Sequence, residues 1–348
     1  MNPSSDSIQQ ISRRDAIKAL ALASGSLTLT TPALGSVLGF DSSNAHDPDT
    51  ILKWYKLKPN FYAMVDLNTG GNVLVHASQG EVLLIDTKYP HLAGALRADA
   101  LAVSGRDAPN LTLINTHHHG DHTAGNAMVI PFASASYAHA NAIPRIQSQL
   151  DSAKQAGVSS VERVKGFSDS AELVALAQIA VGASQGWTNT EITPKNVIST
   201  PHKKIMLGET IVSMYHFGTG HTDNDLVVHF EDDNVIHTGD LVFNGLHPFF
   251  DPSANVSPRG WVESLNSILK LCDDSTTIVP GHGEPSTRSI VENQINYIER
   301  LIENVQAAID TGSSKEDAMK MEWDFMKGLG FESIRPRAIS AVYDDLKS

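Results

Sequence analysis

The sequence predicts an α/β fold, a single domain carrying a helical insert, and three observations predict it. Short apolar runs rich in Val, Ile and Leu recur in both halves of the chain, broken by Gly, Asn and Ser turns. Between them lie Ala- and Leu-rich stretches with helical spacing. No internal repeat and no long linker divides the 348 residues, so strands and helices belong to one body.

The elements follow in chain order. FYAMVDLNTGGNVLVHASQGEVLLIDT, residues 61–87, predicts strand, turn, strand, turn, strand. His91 to Ser104 predicts a helix, and LTLIN predicts the strand just before a histidine cluster. From Pro144 to about Ala183 the pattern turns helical, which places an insert near 144–195. Strands return in KKIMLGETIVSMYHF, DLVVHFEDD and NVIHTGD. A helix over Trp261–Leu271, the strand TTIVP and a long amphipathic helix over Thr287–Ile309 open a helical C-terminus spanning about 287–348.

Composition narrows the function classes. Lys and Arg total 26 against 39 Asp and Glu, a net charge of −13, and such a chain repels phosphate backbones; nucleic acid is not an expected partner. The single cysteine, Cys272, excludes an internal disulfide framework and a multi-cysteine zinc knuckle.

Residues 1–45 predict an export signal and linker ahead of a single domain over 46–348. Ser12-Arg13-Arg14-Asp15-Ala16-Ile17-Lys18 resembles the twin-arginine signal, with Ala16 where an aromatic is usual. The Ala/Leu/Ser/Thr stretch after Lys18 is too interrupted for a stable membrane span, and cleavage is expected near Ala45. The expected partner is the twin-arginine export machinery, and the expected location is periplasmic or secreted.

Chemistry concentrates in NTHHHGDHTAGN, residues 115–126, where His117, His118, His119, Asp121 and His122 crowd together. In an extended segment His117 and His119 face one side, and His118 faces away into the surrounding structure. Asp121 and His122 follow a turn at Gly120. Asp86, His221, Asp240 and His282 each follow an apolar strand-like run, so they occupy loops at strand ends.

His117-x-His119-x-Asp121-His122, with Asp86 upstream and His221, Asp240 and His282 downstream, resembles the metallo-β-lactamase superfamily over roughly Phe61 to Glu284. The resemblance implies a four-layered αββα sandwich with a dinuclear metal site. It implies that His117, His119 and His221 hold one divalent ion, and that Asp121, His122 and His282 hold the second. Asp240 would bridge them, and Asp86 would support the site by hydrogen bonding. Imidazole and carboxylate donors suit Zn²⁺ above all, and also iron or manganese. A hydroxide shared by the two ions would attack a carbonyl-type bond, with Asp121 orienting it. The absence of a convincing Gly-x-Ser-x-Gly elbow agrees with that route, since the match at GASQG, residues 182–186, closes a helical stretch and does not follow a strand.

GHTDNDLVVHFEDDNVIHTGD is similar to the segment found in zinc β-lactamases, but Asp240 stands where their best-known subclass has a cysteine. The bridging aspartate instead resembles hydroxyacylglutathione hydrolases, lactonases and phosphodiesterases. The expected reaction is hydrolysis of a lactone, ester, thioester or β-lactam in a small molecule. The alternatives are an iron-dependent oxidoreductase of the same fold and a non-catalytic metal- or ligand-binding module. Asn244 and His247 are candidate substrate contacts, seven residues or fewer beyond Asp240.

Overall fold

The computed structural model describes residues 50–66, 69–104 and 110–348; the export signal and Ala45 lie outside the described residues. Seven strands form the first sheet in chain order: β1 (Tyr55–Lys58), β2 (Phe61–Met64), β3 (Val73–Ser78), β4 (Glu81–Ile85), β5 (Asn110–Ile114), β6 (Ala135–His139) and β7 (Asn196–Ile198). The first four pair antiparallel, and β4 through β7 run parallel. The second sheet orders β12 (Thr277–Val279), β11 (Val235–His237), β10 (Val227–Phe230), β9 (Thr210–Tyr215) and β8 (His202–Leu207). Only β11 and β12 pair parallel within it.

The apolar runs are continuous because most of these strands are covered on both faces. In β3, Val73, Val75 and Ala77 pack under helices while Leu74 points at the other sheet. In β4, Val82 and Leu84 take the helix side, and Leu83 and Ile85 the inter-sheet side. The second sheet divides in the same way: Val227, Ile236 and Ile278 face helices, and Val228, Val235 and Val279 face the first sheet. Three apolar layers therefore separate four structural layers, helices outside and two sheets inside. This is the αββα sandwich.

Helix α1 (Pro90–Ala102) covers the first sheet together with the insert, and a single turn, α2 (Gly120–Thr123), follows the histidine run. The insert is not one helix. It comprises α3 (Ala142–Ser148), α4 (Leu150–Val158), α5 (Ser160–Lys165), α6 (Ala171–Ser184) and α7 (Asn189–Ile192). Ser170 starts α6 by accepting a hydrogen bond from the Leu173 amide. On the other outer face lie α8 (Pro258–Leu269), α9 (Ser289–Asp310), α10 (Lys315–Ala318) and α11 (Arg335–Lys347). Ser257 caps α8, and Pro258 at its first position moves the start ahead of the expected Trp261. Among the described residues no helix is long and apolar enough to cross a membrane.

The two halves are stitched at one end. Asn72 donates from its amide to the Gly281 carbonyl (2.6 Å) and from its side chain to Pro280 and Gly283 carbonyls (2.9 and 2.7 Å). The Leu226 amide donates to the Thr116 carbonyl (2.7 Å). Loops leaving β4, β5, β11 and β12 meet there, beyond the carboxyl ends of the parallel strands, where ligands bind in open α/β sheets.

Candidate metal centre

Each metal-capable side chain arrives on one of these loops. Asp86 follows β4, His117, His118 and His119 follow β5, Asp121 and His122 ride on α2, and Asp240 and His282 follow β11 and β12. His221 lies on the loop between β9 and β10. Asp86 adopts a left-handed backbone (φ 66°) at the strand end, a conformation aspartate tolerates better than most residues.

Two sets of ligand atoms converge around Asp240: His117, His119, His221 and Asp240 itself form one, and Asp121, His122 and His282 form the other, while a third group, His118, His119 and Asp251, shares His119. Nε2 of His117 and Nε2 of His221 each lie 3.0 Å from Nδ1 of His119. Asp240 faces both sets: Oδ1 is 3.0 Å from His122 Nε2, while Oδ2 is 3.7, 3.6 and 3.4 Å from Nε2 of His117, His221 and His282. Asp121 Oδ2 lies 3.2 Å from His282 Nε2 and 3.7 Å from His122 Nε2.

The outward-facing nitrogens are held by donors and acceptors that fix the tautomers. His122 Nδ1–H donates to Asp86 Oδ2 (2.7 Å), and His221 Nδ1–H donates to the Phe249 carbonyl (2.8 Å). His119 Nε2–H donates to Asp251 Oδ2 (2.8 Å). His117 Nδ1–H donates to Thr116 Oγ1 (3.1 Å), whose own hydrogen goes to Asp86 Oδ2 (2.7 Å). Four lone pairs are thereby aimed inward.

That arrangement fits divalent ions. Imidazole lone pairs 3 Å apart repel one another unless a cation sits among them. Metal–nitrogen distances of about 2.0–2.1 Å in a tetrahedron place nitrogens only slightly further apart, at about 3.3 Å. Two inward atoms, His122 Nε2 and Asp240 Oδ1, are buried 3.0 Å apart without hydrogen-bond geometry to each other or to any other described residue. Buried polar atoms are rarely left so.

Charge is divided unevenly across the cluster. Burial keeps His117 well below its ordinary pKa, with repulsion from His122 added, and burial takes His221 down to about 3. Burial also opposes the charged form of His122 and His282, but Asp240 and Asp121 outweigh it. His122 is held well above its usual value and His282 is pushed up to about 9. For Asp240, burial alone would raise the carboxyl, yet His122, His282 and His117 hold it well below the carboxylate range.

A pH dependence follows. Metal uptake requires neutral imidazoles, so loading the metal-free protein at neutral pH should release on the order of two protons per chain. Affinity should climb until the solution passes the pKa of about 9 at His282. The same raised values mean that imidazolium pairing stabilises the metal-free fold fully below the ordinary pKa of 6.5 and fades as pH rises through about 9. Calorimetric titration of zinc in two buffers of different ionisation enthalpy measures the protons; a buffer-independent heat would refute the assignment.

As the alternation of the extended segment suggests, His118 turns away from the cluster and meets Asn224, Nδ1 to Nδ2 3.1 Å. Two other placements differ from what the residues alone suggest. His247 is fully buried, with Nδ1 2.8 Å from the Tyr297 hydroxyl, and it does not line the cleft. A buried ring of this kind cannot touch a substrate in this conformation. Asn244 is also absent from the cleft wall; its side chain donates to the Glu284 carbonyl (2.8 Å) and its amide to the His282 carbonyl (2.9 Å), bracing the loop of His282.

Sequence reasoning missed three residues. Asp251 orients His119, and it lies in an irregular loop with no spacing rule to point at it. Lys88 is fully buried beside the cluster, where its Nζ donates to the Gly70 carbonyl (3.1 Å) and burial pulls its pKa down to about 8. Arg163, on α5 of the insert, lines the cleft that opens onto the cluster. One of three charges in VERVKGF, it gives no sign of this in the sequence.

The comparisons with known proteins bear on the whole arrangement. The model of the metallo-beta-lactamase superfamily matches residues 68–282. The metallo-beta-lactamase type 2 of Bacillus cereus is 24% identical over 94 residues, which is 27% of this chain and 37% of that enzyme. Among solved structures, the stereoselective inverting sec-alkylsulfatase Pisa1 from Pseudomonas sp. has a TM-score of 0.58 at 16% identity, covering 84% of this chain and 49% of that one. A metallo beta lactamase from Erythrobacter litoralis has a TM-score of 0.50 at 15% identity, over 74% of this chain and 99% of its own. The chain thus spans only 49% of the alkylsulfatase, and these structural likenesses speak for the fold alone.

Proposed function

This chain belongs to the metallo-β-lactamase superfamily, and from that membership we propose that it is an exported, dinuclear metal-dependent hydrolase. The observation that carries the reading is Asp240: its Oδ1 faces His122 of one ligand set, while its Oδ2 lies near His117 and His221 of the other and near His282. A mononuclear binding site would have no use for a buried carboxylate shared in this way.

His117, His119 and His221 would hold one ion, Asp121, His122 and His282 the other, with Asp240 between them. Two bound Zn²⁺ ions activate water as a nucleophile at neutral pH and polarise the bond under attack. The chain's own residues do the rest. Asp86, Thr116, Asp251 and the Phe249 carbonyl keep the imidazoles in the tautomers that face inward. Asp121 lies in the cleft wall, where it would orient the attacking water. Aromatic side chains Phe243, Phe249 and Phe331 give the same cleft an apolar wall.

A carbonyl-type bond in a small molecule (lactone, ester, thioester or β-lactam) is the substrate class this chemistry serves. Metal content per chain, measured with turnover of a panel of those bonds plus phosphodiesters and sulfate esters, tests the reading. Two zinc ions with hydrolysis of one bond class support it. A single iron without turnover sinks it and favours redox chemistry; two ions without turnover favour a binding module. Export rests on Arg13 and Arg14, and replacing both with lysine should strand the protein in the cytoplasm of the producing cell.

A further inference from the structure

The cleft before the metal-capable cluster draws on the two halves of the chain unequally. It encloses about 520 Å³, a size suited to a small organic molecule. The C-terminal half supplies Phe243, Phe249, Phe331 and Ile334. Phe249 lies 5.7 Å from the His119 ring, Phe331 lies 5.7 Å from the His282 ring, and Phe243 stacks on His282 at 5.1 Å. Apolar surface therefore reaches right up to the cluster.

The N-terminal half supplies a charge. Arg163 is the one Lys or Arg among the residues lining the cleft. Its neighbour Val164 is fully buried in the core under the insert, which seats α5 firmly. Nε of Arg163 donates to Ser159 Oγ (3.3 Å), and the guanidinium carbon lies 5.4 Å from the centroid of the Tyr89 ring, itself in the cleft wall. The stem is held, yet the charge has no carboxylate partner among the described residues. Arg163 is exposed to solvent, so in a chain of net charge −13 its guanidinium is open to an anion entering the cleft.

We propose that Arg163 is a specificity-determining residue, which binds an anionic group of the substrate set apart from the bond that is cleaved. The guanidinium offers a planar fork matched to carboxylates and other oxyanions. The substrate class is then an amphiphilic anion: an oxyanion on Arg163, an apolar segment against Phe243, Phe249 and Phe331, and the scissile bond at the cluster. This rests on the hydrolase reading and narrows it.

Two matched esters test the assignment on zinc-loaded full-length protein: p-nitrophenyl hemi-adipate, which carries a free carboxylate, and neutral p-nitrophenyl hexanoate. Arg163→Met should lower kcat/KM for the hemi-adipate about tenfold, mainly through KM, and Arg163→Lys should restore part of it. Hexanoate turnover should stay within about twofold, because the neutral ester has nothing to pair. Equal losses on both esters, or no loss on either, would overturn the proposal. Calorimetric binding of phenylbutyrate and phenylbutyramide reads the same preference without turnover. If neither ester is cleaved, the hydrolase reading fails; a selective loss of phenylbutyrate binding in Arg163→Met still supports Arg163 as the anion site, and unchanged binding overturns it. Phenylpropanesulfonate in the same assay separates a carboxylate site, which binds it weakly, from a general oxyanion site, which binds it equally.

Discussion

Replacing Asp240 by alanine is expected to leave the protein unable to hold two ions. The carboxylate is buried, and its oxygens reach His122 on one side and His117, His221 and His282 on the other. No second carboxylate can take over, since Asp121 faces only His122 and His282. Metal content should fall from two ions per chain to one or none, and hydrolysis by at least about 100-fold, the upper end of what losing a mere outer partner of a ligand costs. The substitution also removes the main charge that keeps His122 and His282 protonated. Their pKa values should drop, and the proton release that accompanies zinc uptake should shrink with them. Asp240→Asn separates shape from charge: it keeps the volume but should behave like the alanine variant in both readouts. Elemental analysis after dialysis, with the two-buffer calorimetry, decides the matter, and retention of two ions would refute the shared role.

How much of this was legible beforehand follows physical lines. His117, His119, Asp121 and His122 were visible because, with His118, they fall within six consecutive positions and are read from one local pattern. Asp86, His221, Asp240 and His282 were visible because each follows an apolar run, and strand ends are where this topology gathers its loops. The runs themselves were conspicuous because β3, β4 and β10 are buried on both faces and so lack the polar alternation of a half-exposed strand. Strands β1, β6 and β7 escaped notice for the opposite reason. YKLK alternates with lysine at the sheet edge, ASYAH is made of small and polar residues, and NVI is only three residues long. The insert was legible as helical but not as five helices, since no Pro or Gly marks the breaks at Gln149 and Ser159. Asp251, Lys88 and Arg163 depend on contacts between distant segments. Asp251 lies 132 residues from His119, and no periodicity connects them.

Gly281→Ala is expected to reproduce much of the Asp240 phenotype without touching a ligand. A methyl group at residue 281 would fall 1.9 Å from Asp240 Oδ1 and 2.6 and 2.7 Å from the backbone of Gly239 and Asp240. Those contacts are far inside van der Waals separation, and two of the three involve main chain that cannot rotate away. Nor is the loop free to retreat. The Gly281 amide donates to the Gly239 and Val242 carbonyls (2.8 and 3.1 Å), and its carbonyl accepts from Asn72 (2.6 Å), so residue 281 is pinned to both halves of the fold. The carboxylate must give way, and Asp240 would leave the position from which it faces both ligand sets. Overpacking of this kind costs about 1–3 kcal/mol of stability, little enough for a domain of this size to remain folded. The variant should therefore melt cooperatively, bind fewer than two ions and lose activity. Gly71→Ala makes an independent check, since its methyl would lie 2.0 Å from His122 Cε1 and should disturb the other ligand set. If both variants load two ions and turn over substrate normally, the close packing of glycine against the ligands has no bearing on function, and the site tolerates more movement than its geometry implies.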